Sequence, residues 1–223
     1  MMNTIKSLTA AALILVCSAA QAQSGKSVEP KPAKKVNFCE DLPNRWTELK
    51  RLDSTILLDI RYATTNNFTK SIIYDCPKCF LRPDVAAKLV TVHKKLRAKG
   101  MGLKVFDCYR PSPYQQRLWD KVPDPNYVTP PAKGSMHSRG AAVDLTIVDK
   151  NGKELDMGTT YDFFGKEAHH TYTAHSKKVQ ENRTLLKSLM EEAGFNSIRT
   201  EWWHYSINGG DYLDLSSRLW KCN

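Results

Sequence analysis

The sequence predicts an α+β fold: a single domain with a central antiparallel sheet flanked by helices. Three observations carry this expectation. Stretches rich in β-branched and alternating apolar residues are interspersed with stretches of helical periodicity. Their order lacks the regular strand–helix–strand rhythm of a parallel α/β sheet. The length, 223 residues, suits one domain with or without a tail and is enough to bury a proper core.

Residues 1–22 read as an export signal. Lys6 gives a positive start, residues 8–20 are apolar or small, and Ala20-Gln21-Ala22 is the small-x-small pattern a signal peptidase cuts. Cleavage is expected after Ala22. The run is too short for a good transmembrane helix. A lipoprotein reading through Cys17 is disfavoured, because bulky Val16 precedes it and the Ala-x-Ala site lies downstream. Residues 23–37, with Pro30, Pro32 and several lysines, read as a flexible linker. The folded domain is expected over 38–223.

Residues 55–60 are β-branched and apolar, a strand. A helix is expected over 83–98: Pro83 suits its first turn, Val85, Leu89, Val92 and Leu96 form one stripe, and Gly100 ends it. Residues 103–108 read as a strand. Ser112-Pro113 reads as the N-cap and first turn of a short helix to Trp119. Residues 121–135 are loop, with four prolines. Residues 142–148 alternate, with Val143, Leu145 and Ile147 on one face and Ala142, Asp144 and Thr146 on the other. Residues 149–172 are mostly loop. A helix over 177–193 stops at Gly194, and 202–207 is a last strand.

Hydrophobic content of 41% and charged content of 25% place the chain among soluble globular proteins. The net charge is +10, or +9 once Lys6 leaves with the signal. A basic balance can serve nucleic acid, anionic lipid or anionic polymer. Lysines and arginines are scattered here and no basic run exceeds two residues, so no nucleic-acid partner is expected. After signal removal no segment is expected to insert into a membrane. Cys39, Cys76, Cys79, Cys108 and Cys222 remain in the mature chain. An oxidising compartment favours disulfides, and an odd count leaves at least one thiol over. The C-x-x-C at Cys76-Pro77-Lys78-Cys79 admits a redox pair or half a zinc site, but no second C-x-x-C accompanies it, and a structural role is favoured. The pairing is open.

Two clusters carry chemistry: Ser135-Met136-His137-Ser138-Arg139-Gly140-Ala141-Ala142-Val143-Asp144 and Glu201-Trp202-Trp203-His204. With Val143, Leu145 and Ile147 in the core, Asp144 points to a cleft or to solvent. Gly140 lets the chain turn so that His137 reaches the same place, and His204 brings a second imidazole from a neighbouring strand. Two histidines and a carboxylate are a ligand set for catalytic zinc that leaves the fourth position open. The same set accepts Fe, Co or Mn. Glu201 is out of phase with His204 in a strict strand, and a bend at the strand entrance would bring both to the metal. A carboxylate there is the base a hydrolase needs and a structural metal site does not. A rival triad of His169, His170 and His175 lies in a polar stretch without strand signals and reads as surface, or as support behind the metal ligands.

At these residues the chain resembles the zinc D-alanyl-D-alanine peptidases that share S-x-H-x-x-G-x-A-x-D and E-x-x-H. Ser135, His137, Gly140, Ala142 and Asp144 match the first pattern, Glu201 and His204 the second. Within them it is most similar to the VanX-type zinc D-alanyl-D-alanine dipeptidases, through Arg61-Tyr62-Ala63-Thr64-Thr65-Asn66-Asn67-Phe68, Asp107-Cys108-Tyr109-Arg110-Pro111, and Met157-Gly158-Thr159 leading into Asp162-Phe163-Phe164. The likeness runs from about residue 42 to 207. It implies a hedgehog/DD-peptidase-like fold and one zinc ion on His137, Asp144 and His204. It further implies Glu201 as general base and then acid, Arg110 as oxyanion stabiliser, and Ser135, Tyr62 and Asp162 as contacts to the substrate's amino end. The five mature cysteines and the leader depart from the cytoplasmic resistance-type enzymes, which points to a periplasmic or secreted protein.

The function expected is hydrolysis of the small dipeptide D-Ala-D-Ala to two D-Ala in cell-wall peptide turnover. The rivals are a D,D- or L,D-carboxypeptidase on stem peptides, which needs an open groove, and a non-catalytic zinc-binding module, which needs neither Glu201 nor Arg110. The oligomeric state is open.

Overall fold

The computed structural model describes residues 45–222. The expected signal peptide and linker, the first residues of the domain, Cys17 and Cys39 lie outside the described residues. A short strand, β1 (Thr47–Glu48), and one helical turn, α1 (Leu49–Leu52), come first. Two-residue strands follow, β2 (Leu57–Leu58) and β3 (Phe80–Leu81). Then come α2 (Pro83–Arg97), β4 (Gly102–Asp107), α3 (Ser112–Lys121), β5 (Ala142–Val148) and α4 (Lys177–Glu192). A hairpin of β6 (Phe195–Ile198) and β7 (Glu201–Ile207) completes the main sheet.

The main sheet runs β2-β4-β5-β7-β6, and β1 pairs with β3 in a separate antiparallel ribbon. The fold is the expected α+β arrangement with a central sheet flanked by helices, with one correction. The sheet is mixed, because β2 pairs parallel with β4 while the other pairs are antiparallel. The connection explains it. The chain from β2 to β4 passes through α2, and a helical crossover brings the second strand back in the same direction. The strand expected at 55–60 is only Leu57–Leu58, after which the chain enters a 3₁₀ turn at Arg61–Ala63.

The helices form where the apolar stripes place them. α2 starts with Pro83 in its first turn, buries Val85, Leu89, Val92 and Leu96, and carries Lys94, Lys95 and Arg97 in its last turn, where cations complement the helix dipole. Its His93 accepts the Leu103 N–H at 3.1 Å and meets Thr55 Oγ1 at 2.8 Å, which locks the helix to β4. Before α3 the capping position is held by Pro111. Ser112 is the first helical residue and donates to the Ser216 carbonyl instead of capping. In α4, Ser176 caps by accepting the Val179 N–H at 3.3 Å.

β5 lies between β4 and β7, and all seven of its residues are buried. Val143, Leu145 and Ile147 fill the core on one face, and burial of such side chains is worth about 1.5–3 kcal/mol each. Asp144 therefore opens into a covered cleft on the other face, not into free solvent. Two disulfides, Cys76–Cys222 and Cys79–Cys108, tie the irregular segments to this frame. The two cysteines of the C-x-x-C thus bond elsewhere, and the motif forms neither a redox pair nor a metal half-site.

Candidate active site

The register of three adjacent strands sets the site. Asp144 of β5 stands opposite Asp107 of β4 on one side and His204 of β7 on the other. Residues directly opposite in a sheet share a face and lie side by side. His137 comes from the 3₁₀ turn His137–Arg139 just before β5. Gly140 makes that approach possible: its φ is +68°, and a Cβ there would lie 2.0 Å from the Trp46 ring. As a result His137 Nε2 lies 3.3 Å from Asp144 Oδ1 and 3.2 Å from His204 Nδ1, and His204 Nδ1 lies 2.9 Å from Asp144 Oδ1. Among the described residues, these three are the group whose ligand atoms converge, all within 4.8 Å of one another.

Neighbouring groups aim these side chains. His137 Nδ1 is 2.6 Å from the Cys108 carbonyl. A carbonyl only accepts, so Nδ1 carries the hydrogen and Nε2 is left free to ligate. Tyr161 donates its hydroxyl to Asp144 Oδ2 at 3.0 Å. Burial alone would raise the Asp144 carboxyl, but His137 and His204 beside it hold it far below the usual carboxylate range. Burial pulls His137 down, and Asp144 and Asp107 more than reverse this, leaving it above its ordinary value. Two imidazoles and an ionised carboxylate, two of the three backed by a hydrogen bond from behind, fit a catalytic divalent ion with an open position.

Glu201 reaches the same cavity through an irregularity of β7. Ser197 pairs with Tyr205, but the next residue of β6, Ile198, pairs with Glu201. Residues 202–204 are therefore set against a single step of the partner strand. Such bulges re-aim side chains beside active sites, and this one is the bend the out-of-phase spacing demanded. Glu201 Oε2 lies 4.0 Å from His204 Nδ1, with a third of its side chain exposed inside the cleft. Burial pushes its carboxyl above the ordinary value, with Asp144 adding to the rise against the pull of His204.

Arg110 is buried and donates to Asp107 Oδ2 from Nη2 at 2.6 Å and Nε at 3.1 Å, and to Gln115 Oε1 from Nη1 at 3.0 Å. Its guanidinium lies 5.0 Å from the centre of the Tyr62 ring. Burial disfavours the charge, but Asp107 outweighs it and keeps Arg110 protonated. Tyr62 donates to Asp162 Oδ2 at 3.1 Å. Asp162 holds the left-handed φ of +57°, a conformation non-glycine residues adopt at a cost of order 1–3 kcal/mol and mostly at functional sites. Burial, and then Asp144, push its carboxyl well above the usual range. Ser135 accepts the His137 N–H at 3.2 Å. Tyr62, Arg110, Ser135, Asp162 and Glu201 all line one cavity of about 190 Å³ with His137, Asp144 and His204.

His169, His170 and His175 do not converge. His169 lies against Arg199, the His170 N–H bonds the Arg199 carbonyl, and His175 meets the Glu167 carbonyl. Sequence reasoning gave no role to Asp107, Tyr161 or Gln115. Asp107 stands at the end of an expected strand three residues before Arg110, a spacing that would have suggested the pair. Tyr161 carried no such signal.

A sheet face that presents two imidazoles and a carboxylate, with a glutamate and a fixed arginine around one cavity, defines a metal-dependent hydrolase of α+β type. The family described as D-ala-D-ala dipeptidase (Peptidase_M15) matches residues 44–219, and the chain belongs to that family. It is accordingly a metallopeptidase. The D-alanyl-D-alanine dipeptidase of Escherichia coli K12 is 37% identical over 165 residues, covering 74% of this chain and 86% of that protein. The enzyme of the same name from Enterococcus faecalis is 32% identical over 180 residues, covering 70% and 88%.

Proposed function

We propose that the protein hydrolyses D-Ala-D-Ala to two D-Ala, with one zinc ion held by His137, Asp144 and His204. The observation that carries this reading is the convergence of those three side chains, Glu201 and Arg110 on one cavity of about 190 Å³. When bound, the ion supplies Lewis acidity, drawing charge from a carbonyl oxygen and making water nucleophilic near neutral pH. Glu201 takes the proton of the attacking water and returns it to the leaving amine, and its raised pKa suits both halves of that exchange. Arg110 meets the negative charge that develops on the carbonyl oxygen. Ser135, Tyr62 and Asp162 hold the amino end of the substrate.

The cavity's size favours a dipeptide over a stem peptide. Pockets for drug-sized ligands run to about 300–1,000 Å³, and this one is smaller. Three loops meet along its lining: Phe164 packs edge-to-face against Phe68 at 5.0 Å and at a tilt against Tyr127 at 4.6 Å between ring centres. A polymer substrate needs an open groove there.

In the same reading, residues 1–22 direct export and are removed after Ala22, 23–37 form a linker, and 38–223 form the enzyme, periplasmic or secreted. Two disulfides suit an oxidising compartment, and no helix among the described residues is long and apolar enough to cross a membrane. The physiological role is recycling of dipeptide released by wall turnover.

Glu201→Ala tests the chemistry. The variant should bind one metal per chain and lose about 10²–10⁴-fold in kcat, read from released D-Ala. Undiminished turnover would remove Glu201 from the mechanism. A non-catalytic module would show no turnover in either form and equal affinity for the dipeptide.

A further inference from the structure

We propose that the Cys79–Cys108 disulfide is a positioning element of the active site, fixing both the carbonyl that sets the tautomer of His137 and the turn that carries Arg110. The inference rests on the roles given above to His137 and Arg110. β4 ends at Asp107, and its pairing with β5 already slips between Val105 and Asp107. Residues 108–110 therefore leave the sheet without ladder bonds to hold them. The segment is instead held at discrete points. The Cys108 N–H bonds Asp107 Oδ1 at 2.9 Å, the Tyr109 N–H bonds the Phe80 carbonyl at 3.0 Å, and the Arg110 N–H bonds the His137 carbonyl at 3.1 Å. The fourth point is covalent, the bond from Cys108 to Cys79, both fully buried. Cys79 is anchored in turn, since its carbonyl accepts the Leu49 N–H at 2.9 Å.

The Cys108 carbonyl is the group 2.6 Å from His137 Nδ1. Partners that orient a metal-ligating histidine select its tautomer and raise metal affinity. If the Cys108 peptide drifts, His137 loses that selection, and Arg110, two residues on, loses its aim. The second staple, Cys76–Cys222, starts from the same four-residue motif but holds the C-terminal segment, whose Trp220 also packs on Tyr109, and not the peptide whose carbonyl meets His137. Cys76 Sγ accepts from Trp220 Nε1, and Trp220 packs against Tyr74, Phe80 and Tyr114. It is a cross-link of greater span without a direct bond to a metal-ligating side chain, and so an internal control.

The experiment compares C79A/C108A, C76A/C222A and H137A with the mature wild type. Zinc Kd is measured by competition with a chromophoric chelator, and kcat and KM with D-Ala-D-Ala. C79A/C108A should fold, bind zinc about 10- to 100-fold more weakly and lose at least about tenfold in kcat with KM little changed. C76A/C222A should melt at lower temperature with Kd and kcat near those of the wild type. In the apo wild type, at a pH above the titration of His137, its ¹⁵N shifts should report the Nδ1–H tautomer, and in C79A/C108A a mixture. A folded C79A/C108A with wild-type Kd, kcat and tautomer overturns the proposal. If that double variant does not fold, Cys79→Val, which fills the space beside Cys108, is judged on the same three readouts. H137A reports on the underlying assignment: retained zinc and turnover would overturn both readings, whereas an inactive H137A beside a wild-type-like C79A/C108A overturns the disulfide's role alone.

Discussion

Arg110 enters the cavity with three of its five N–H groups engaged by Asp107 and Gln115. Those bonds fix the plane of the guanidinium, so the remaining donors are aimed before substrate arrives. Preorganised donors of this kind are worth about 10²–10³ in kcat. Arg110→Lys keeps a cation beside Asp107 and so avoids a buried unpaired carboxylate, whose cost would be about 3–5 kcal/mol. The fork is lost, however. The variant should stay folded by circular dichroism and lose about 10²–10³ in kcat with KM within a few-fold; an unchanged kcat would make Arg110 only a structural partner of Asp107. At this scale the sequence was legible wherever chemistry imposes a residue type at a fixed spacing. His137 and Asp144 are seven residues apart across Gly140, and Glu201 and His204 are three apart. It was silent on groups that act from behind, because Tyr161 reaches Asp144 and the Cys108 carbonyl reaches His137 through tertiary contacts that no local pattern encodes.

The loop 149–172 brings Tyr161, Asp162 and Phe164 to the site, and α4 holds it there. Buried Arg183 donates to the carbonyls of Met157, His169 and Glu167 at 2.7, 3.1 and 2.9 Å, and Asn182 donates to that of Asp156 at 2.8 Å. One side chain thus satisfies three carbonyls of a segment with almost no secondary structure. Arg183→Ala should lower stability by about 1–3 kcal/mol in urea denaturation, because it leaves the Met157 carbonyl unpaired while the Glu167 carbonyl keeps His175 and the His169 carbonyl keeps the Tyr172 N–H. It should also raise KM for the dipeptide more than it lowers kcat. Unchanged KM in a destabilised variant would show that the loop holds its site conformation unaided. Among the elements, β5, α2 and α4 could be read because their apolar period survives in the fold. The direction of β2 could not, since two residues of edge strand carry no signal of their partner. Nor could β6, with only Phe195 fully buried, or the bulge of β7, which exists only once β6 pairs with it.

For the whole molecule, the site is the meeting point of pieces far apart in sequence: a turn after residue 60, the end of β4, the approach to β5, a long loop and the last strand of the sheet. A small domain can hold such a set in register only if its irregular segments are tied down. Here two disulfides close loops of 29 and 146 residues, which on the chain-entropy view contribute about 3–5 kcal/mol each. The oxidising compartment expected from residues 1–22 made disulfides legible, but their pairing depends on which segments the fold brings together. The proposed function follows from the same assembly, a small cavity with a corner of three convergent ligand side chains, a glutamate and a fixed cation. The most direct test is to incubate the purified mature protein with D-Ala-D-Ala and, separately, with a pentapeptide stem ending in D-Ala-D-Ala, measuring released D-Ala with and without a chelator. Chelator-sensitive release from the dipeptide, and little from the pentapeptide, is expected. Release mainly from the pentapeptide, or release from the dipeptide that survives complete metal removal, would contradict the proposed function.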